Sequence, residues 1–227
     1  MRPAFYALRP GGWRDYVTLL HPPYTLWHLS YVAVGAALVP RMNWALLGWT
    51  MLAFALAMGV GAHALDELQG RPLQTLIPAP VLATLAVVSI AAACAIGCAI
   101  AVQQTLWLLV FVAAGGFIVV AYNLELFGGA FHGTFWFAAA WGAFPVLTAY
   151  FAAAHTLRGA AVAAAGYAFV MSWVQRTLST PVRAVRRKPV SEVTDAERAI
   201  APVAERALEA LAAAAVLIAA ALLLARA

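Results

Sequence analysis

Charge is scarce along this chain. Only 10% of its 227 residues are charged and 65% are hydrophobic, whereas a soluble domain carries about 25% charge, so an ordinary water-exposed surface is excluded. Cysteine is nearly absent too. Cys94 and Cys98 stand alone in an apolar run, which leaves no disulfide framework and no C-x-x-C redox motif; thiols in such a setting pack as small hydrophobes. The opening residues, MRPAFYALRPGGWRDY, lack the hydrophobic stretch and cleavage site of a signal peptide, and this segment is expected to stay attached and cytoplasmic. No P-loop or dinucleotide-binding glycine spacing occurs. Gly128, Gly129 and Gly133 instead surround His132 in a loop where the backbone can approach a neighbour closely.

What the chain does have is apolar length. Mean hydropathy is +0.86, and windows bounded by charge, Pro and Gly predict seven spans over 22–39, 44–65, 79–102, 105–123, 134–154, 159–178 and 207–225, each near the roughly 20 residues a bilayer requires. The expected class is all-α: a polytopic transmembrane bundle of about seven spans, forming one domain over 1–227 with a short N-terminal segment 1–20 and a link at 179–206. Eleven of the fourteen basic residues fall before the first span or in the links 66–78 and 179–206 or just ahead of the latter, and Arg41, Arg158 and Arg226 fall on the other side. That asymmetry puts the N-terminus and the 179–206 link on the cytoplasmic face of the plasma membrane. The links 40–43, 103–104 and 155–158 are short enough to force antiparallel helical hairpins. The net charge of +5 points to anionic lipid rather than nucleic acid, for which no soluble module remains. The runs GAAVAAAGYA and AAACAIGCA permit close helix approach or reflect composition bias alone.

The polar residues are few enough to consider singly. Asp66 and Glu67 are the only acids between Asp15 and Glu125, and charge at the end of an apolar helix is expensive. His63 lies three and four residues before them, on one helix face. With Glu125, His132 and Arg176, these residues all come to the cytoplasmic ends of the predicted spans. Carboxylates and histidines suit a divalent metal, and arginines suit phosphate through a bidentate fork. The simpler account is that Asp66 and Glu67 end a helix at the interface and pair with Arg71. His28 sits nearly two turns into the first span, where a polar group needs a partner, either a neighbouring helix or a ligand. Asn123 and Glu125 line a cavity or merely mark an interface. The basic run Arg183 to Lys188 anchors lipid headgroups or contacts a diphosphate. Ser191, Thr194 and Asp195 read as the start of a short surface helix leading into the last span.

Four stretches resemble the UbiA superfamily of intramembrane prenyltransferases: HPPYTLWHLSYVAVGAAL, GAHALDELQGRP, AYNLEL and FAAAWGAFPVLTAYF. They correspond in order to that family's first span, first aspartate motif, Tyr-bearing end of the fourth span, and W-G-x-x-P fifth span. The resemblance covers most of residues 15–190. It implies an enzyme that joins an isoprenyl diphosphate to a lipophilic or aromatic acceptor, with Mg²⁺ held by carboxylates and the diphosphate by the metal. Carried onto this chain, it implies that Asp66 is catalytic and a metal ligand with Glu67 as a neighbouring substitute, and that His28, His63, Arg71, Tyr122, Asn123, Glu125, Arg176 and Arg183 contact substrate. The family's other aspartates fall on His63 and Gly70, and its second acidic motif falls on QRTLSTPVRAVRR, which has no acid. Two further spans typical of the family are missing, and a second copy of the chain is one way to supply that wall. The alternatives are a non-catalytic relative that binds a lipid or quinone or scaffolds a partner, and a different metal enzyme using His63, Glu67, Glu125 and His132.

Overall fold

The computed structural model describes residues 3–227, and the described residues are helical in all seven expected windows. After a short N-terminal helix, α1 (Trp13–Leu19), come α2 (Pro22–Ala37), α3 (Trp44–Leu68), α4 (Ala79–Gln103), α5 (Leu108–Asn123), α6 (Thr134–Ala154), α7 (Gly159–Arg187) and α8 (Asp195–Leu224). Four of these, α3, α4, α6 and α8, are long and apolar enough to cross a membrane. The helix pairs α2/α3, α4/α5 and α6/α7 pack against each other across short links, as the link lengths require.

α2 is the centre of the bundle. Pro22 and Pro23 occupy its first turn, where a missing N–H costs nothing, and nearly every residue from Trp27 to Ala37 is buried. It is covered by α8, α6, α3 and α7, with Trp27, Tyr31, Val146, Ala168 and Leu208 forming the shared core. Small residues set how close the helices come. A Cβ on Gly35 of α2 would lie 2.3 Å from the carbonyl oxygen of Val146, and one on Gly142 of α6 would lie 2.4 Å from that of Ala168. In α7 the buried positions Ala161, Ala165, Ala168, Ser172, Gln175, Ser179 and Val182 alternate in steps of four and three. One stripe of small and polar side chains therefore faces the bundle along the whole helix.

Two features depart from the sequence expectation. α7 continues past 178 to Arg187 despite Pro181, and the expected surface helix and last span are one continuous 30-residue helix, α8. Its start is fixed by a capping box, in which Thr194 accepts from the Glu197 N–H and Glu197 reaches back to the Thr194 N–H. Ion pairs of Arg186 with Glu205 and of Lys188 with Glu197 tie the two helices together where they leave the apolar zone. At the other end of the bundle, Arg226 donates to the Ala37 carbonyl at 3.0 Å, so a cation meets the C-terminus of α2.

Gly142→Ala should cost about 1–3 kcal/mol, because its methyl meets backbone that cannot yield. A lowered unfolding temperature in detergent is the expected result, whereas Gly48→Ala on α3, which meets nothing within 4 Å, should leave that temperature unchanged or slightly raised.

Candidate functional site

The stretch that ends α3 divides its two acids between two tasks. Successive helical residues point about 100° apart, and here Asp66 lines the cavity described below while Glu67 does not. Glu67 is completely buried and turned toward the segment that follows. Its Oε2 accepts from the Leu73 N–H at 2.9 Å, and its Oε1 accepts from the Thr75 N–H at 2.8 Å and the Thr75 hydroxyl at 2.9 Å. Arg71 closes the same segment from within, donating to the carbonyls of Ile77 at 2.6 Å and Thr75 at 3.4 Å. The backbone of this turn has positive φ at Gly70, Arg71 and Gln74, a cost that these bonds offset. Glu67 is thus corrected from metal ligand to loop anchor. Arg71 is corrected from substrate contact to loop staple, and it pairs with neither acid.

Asp15, which sequence reasoning did not single out, completes the arrangement. It is 4% exposed and accepts from the Gly11 N–H and the Leu76 N–H, both at 2.9 Å. One carboxylate therefore holds the N-terminal segment against the α3–α4 link. Phe5 and Tyr6 are carried over the end of α2, where both rings meet Tyr24 edge-on.

Beneath that cover lies a cavity of about 430 Å³. Its walls come from the N-terminal segment and from α2, α3, α5, α6, α7 and α8, and it collects most of the expected residues: His28, His63, Asp66, Tyr122, Asn123, Glu125, His132, Arg176 and Arg183. His21, seven residues before His28 and so near the same face of α2, and Arg187 of the basic run also line it, as do Tyr6 and Gln175, which nothing in the sequence marked. Arg176 donates to the Tyr122 hydroxyl and lies 5.5 and 5.6 Å from the ring centres of Tyr122 and Phe137, a cation held against two aromatic faces. Arg183 and Arg187 are exposed at the opening and make no hydrogen bond or ion pair with the described residues. Asn123 spends its amide on the Val119 carbonyl of its own helix. Glu125 is exposed, with its carboxylate 3.9 Å from His132 Nδ1.

The His21 and His63 rings are stacked, 3.9 Å apart and 11° from parallel. Burial, and His63 beside it, hold the His21 imidazole well below its ordinary range, so it is neutral near pH 7. A second space, apolar and about 90 Å³, lies between α3, α4, α5 and α6 and is bounded by Phe54, Met58, Phe111 and Phe144. Trp141 borders both spaces.

No family model, curated protein or solved structure matches this chain. The site therefore has to be judged on its own donors and acceptors. Among the described residues no group of three or more His, Cys, Asp and Glu side chains converges to hold a metal. With Glu67 committed to the loop, Asp66 is the one acid of the α3 pair that lines the cavity, so a Mg²⁺ ion there would take a single carboxylate from that pair and complete its shell with water or substrate phosphate.

Replacing Glu67 by Gln puts an N–H₂ where a backbone N–H now donates. The expected loss is about 1–3 kcal/mol, and amide hydrogen exchange should speed up at Leu73 and Thr75 ahead of the rest of the chain.

Proposed function

We propose that this protein is a divergent UbiA-like membrane protein whose cavity binds an isoprenoid lipid by its phosphate or diphosphate head. What carries this reading is Arg176, fixed by Tyr122 and Phe137 at the inner end of a row that continues to the unpaired Arg183 and Arg187. Guanidinium groups take phosphate oxygens in bidentate pairs. In this reading the arginines take over the charge neutralisation that Mg²⁺ performs in the family. The isoprenoid chain runs past Trp141 into the apolar space between α3 and α6, so that head and tail each meet a matching surface.

Transfer of the prenyl group is a second reading, favoured by one observation. The rings of Tyr122, Phe137 and Trp141 stand together beside Arg176, Phe137 and Trp141 being stacked at 5.5 Å. Electron-rich faces next to a bound diphosphate suit an allylic cation as its leaving group departs.

Calorimetric titration with geranylgeranyl diphosphate in the presence of EDTA tests the binding. Affinity should fall about tenfold or more in Arg176→Ala and clearly in Arg183→Ala. In Asp66→Asn it should hold or rise, since an anion loses a repelling neighbour. Binding that requires Mg²⁺ and collapses in Asp66→Asn would return the site to the metal-bridged scheme. Release of inorganic diphosphate on adding a phenolic acceptor separates transfer from binding alone.

The proposed membrane arrangement has seven crossings, with the N-terminus and the 179–206 segment in the cytoplasm and the cavity opening on that side. Reporter fusions after Lys188 should read as cytoplasmic and fusions after Ala227 as exported. The reverse pattern would overturn the orientation.

A further inference from the structure

The two sides of α1 (Trp13–Leu19) have opposite chemistry. Its inner side carries Asp15, Thr18 and Leu19, all buried. Asp15 accepts from the Gly11 and Leu76 N–H groups, and the Thr18 hydroxyl oxygen accepts from the Leu8 N–H at 3.0 Å. Between these fastenings and the cavity lie Ala7, which is fully buried, and then Tyr6 and Phe5. The cover over the cavity is therefore held by the inner side of α1.

The outer side is apolar and bare. Trp13 is 68% exposed and Tyr16 45%, and Leu20 at the end of the helix is exposed as well. With the half-buried Val17 they occupy positions 13, 16, 17 and 20, one stripe along a helix. Leu76, exposed and bonded through its N–H to Asp15, places a further apolar side chain beside this helix. Arg9 and Arg14 are exposed and make no hydrogen bond or ion pair with the described residues; the Arg14 guanidinium lies 5.9 Å from the ring centre of Trp13.

Polar groups turned toward the protein and aromatic groups turned outward are the reverse of what a helix facing water shows. Trp and Tyr are enriched at the boundary between lipid and water, and arginines beside them meet anionic headgroups. α1 stands at the end of the bundle where the basic residues gather, so a lipid surface is the neighbour that its charge and its aromatic face both fit. Seven residues are too few to cross the hydrocarbon, and the helix lies along that surface.

We infer that α1 rests on an anionic bilayer surface, with Trp13, Tyr16 and Leu20 in the interfacial layer and Arg9 and Arg14 on lipid phosphates, and that this contact keeps the cover closed over the cavity. One short helix makes both contacts. Pinned on its outer side, it cannot turn Asp15 and Thr18 away from the segment they hold, so loosening of the cover depends on lipid charge. This rests on the membrane arrangement proposed above and holds whichever molecule the cavity binds.

The test uses the purified full chain in nanodiscs of phosphatidylcholine or of an equal mixture with phosphatidylglycerol. Amide hydrogen exchange reads the cover. Each arginine near an anionic surface is worth about fivefold, so Leu8 and Gly11 should exchange about ten- to thirtyfold more slowly in the anionic discs, while Leu73 and Thr75, held by Glu67, keep one rate in both. Arg9→Gln combined with Arg14→Gln should abolish the difference, and the comparison of lipids itself needs no variant to fold. Equal rates at Leu8 and Gly11 in the two discs, or a difference that survives in the double variant, would overturn the inference. Lipids brominated on the acyl chain near the headgroup read depth, through the fluorescence lost between the unmodified protein and Trp13→Phe; Trp49→Phe reports in the same way on α3, where Trp49 is exposed. Both tryptophans should be quenched. Quenching at Trp49 with none at Trp13 would overturn the lipid contact and leave the bundle in the membrane, the bare side of α1 then belonging to a protein partner. Quenching at neither would overturn the membrane arrangement and this contact with it.

Discussion

A buried carboxylate with no room for error organises this end of the bundle. Glu67 is cut off from solvent, and an ionised group in such a place is tolerated only when its oxygens are filled. Here three donors from one short segment fill them. Because those donors belong to residues 73–75, the segment after α3 has no freedom to swing away. Asp15 then fastens the N-terminal segment to the next amide, that of Leu76. Two acids at distant places in the sequence thus build the cover over a cavity that neither lines.

The cavity depends equally on close packing elsewhere. α2 meets α6 at Gly35 and α6 meets α7 at Gly142 with backbone against backbone, so the helices converge in the apolar zone. Toward the end that carries the basic residues, large side chains such as Tyr24, Phe137 and Arg176 hold them apart. Convergence at one level and separation at the other leave a pocket open on one side. The widened turns at Ala55–Ala62 and Ala138–Ala143 lie beside it, and the Gly59 and Trp141 carbonyls within them accept from Nδ1 of His63 and of His28. Such turns are frequent at functional sites.

Much of the architecture was legible because it follows from composition. Long apolar runs with charge only at their ends have one solution that pairs every backbone group, the helix, and the hairpin pairs follow from links too short to allow anything else. His28 was legible as inward-facing, since a polar ring two turns into an apolar helix must find a partner. The convergence of His63, Asp66, Tyr122, Arg176 and Arg183 also follows from their places near helix ends on one side. The continuous α8 was not evident, because the apolar run that marks a span begins only near residue 207, while the ion pairs that join its first half to the end of α7 are contacts between residues of separate helices.

The sequence by itself determined that this is an apolar helical bundle with its basic residues gathered at one end, because those properties depend on hydrophobic runs and charge counts. Only the tertiary structure decided what each polar residue does. Asp66 and Glu67 are neighbours in the chain and chemically alike, yet one faces the cavity and the other holds a loop. Sequence spacing gives a residue's angle around its own helix but not what stands opposite. Glu67 is a structural acid because Leu73 and Thr75 fold back onto it, and Arg176 is held in the cavity wall because Tyr122 and Phe137 stand opposite it. Both facts belong to the packing of separate segments, where burial and hydrogen-bond geometry are set.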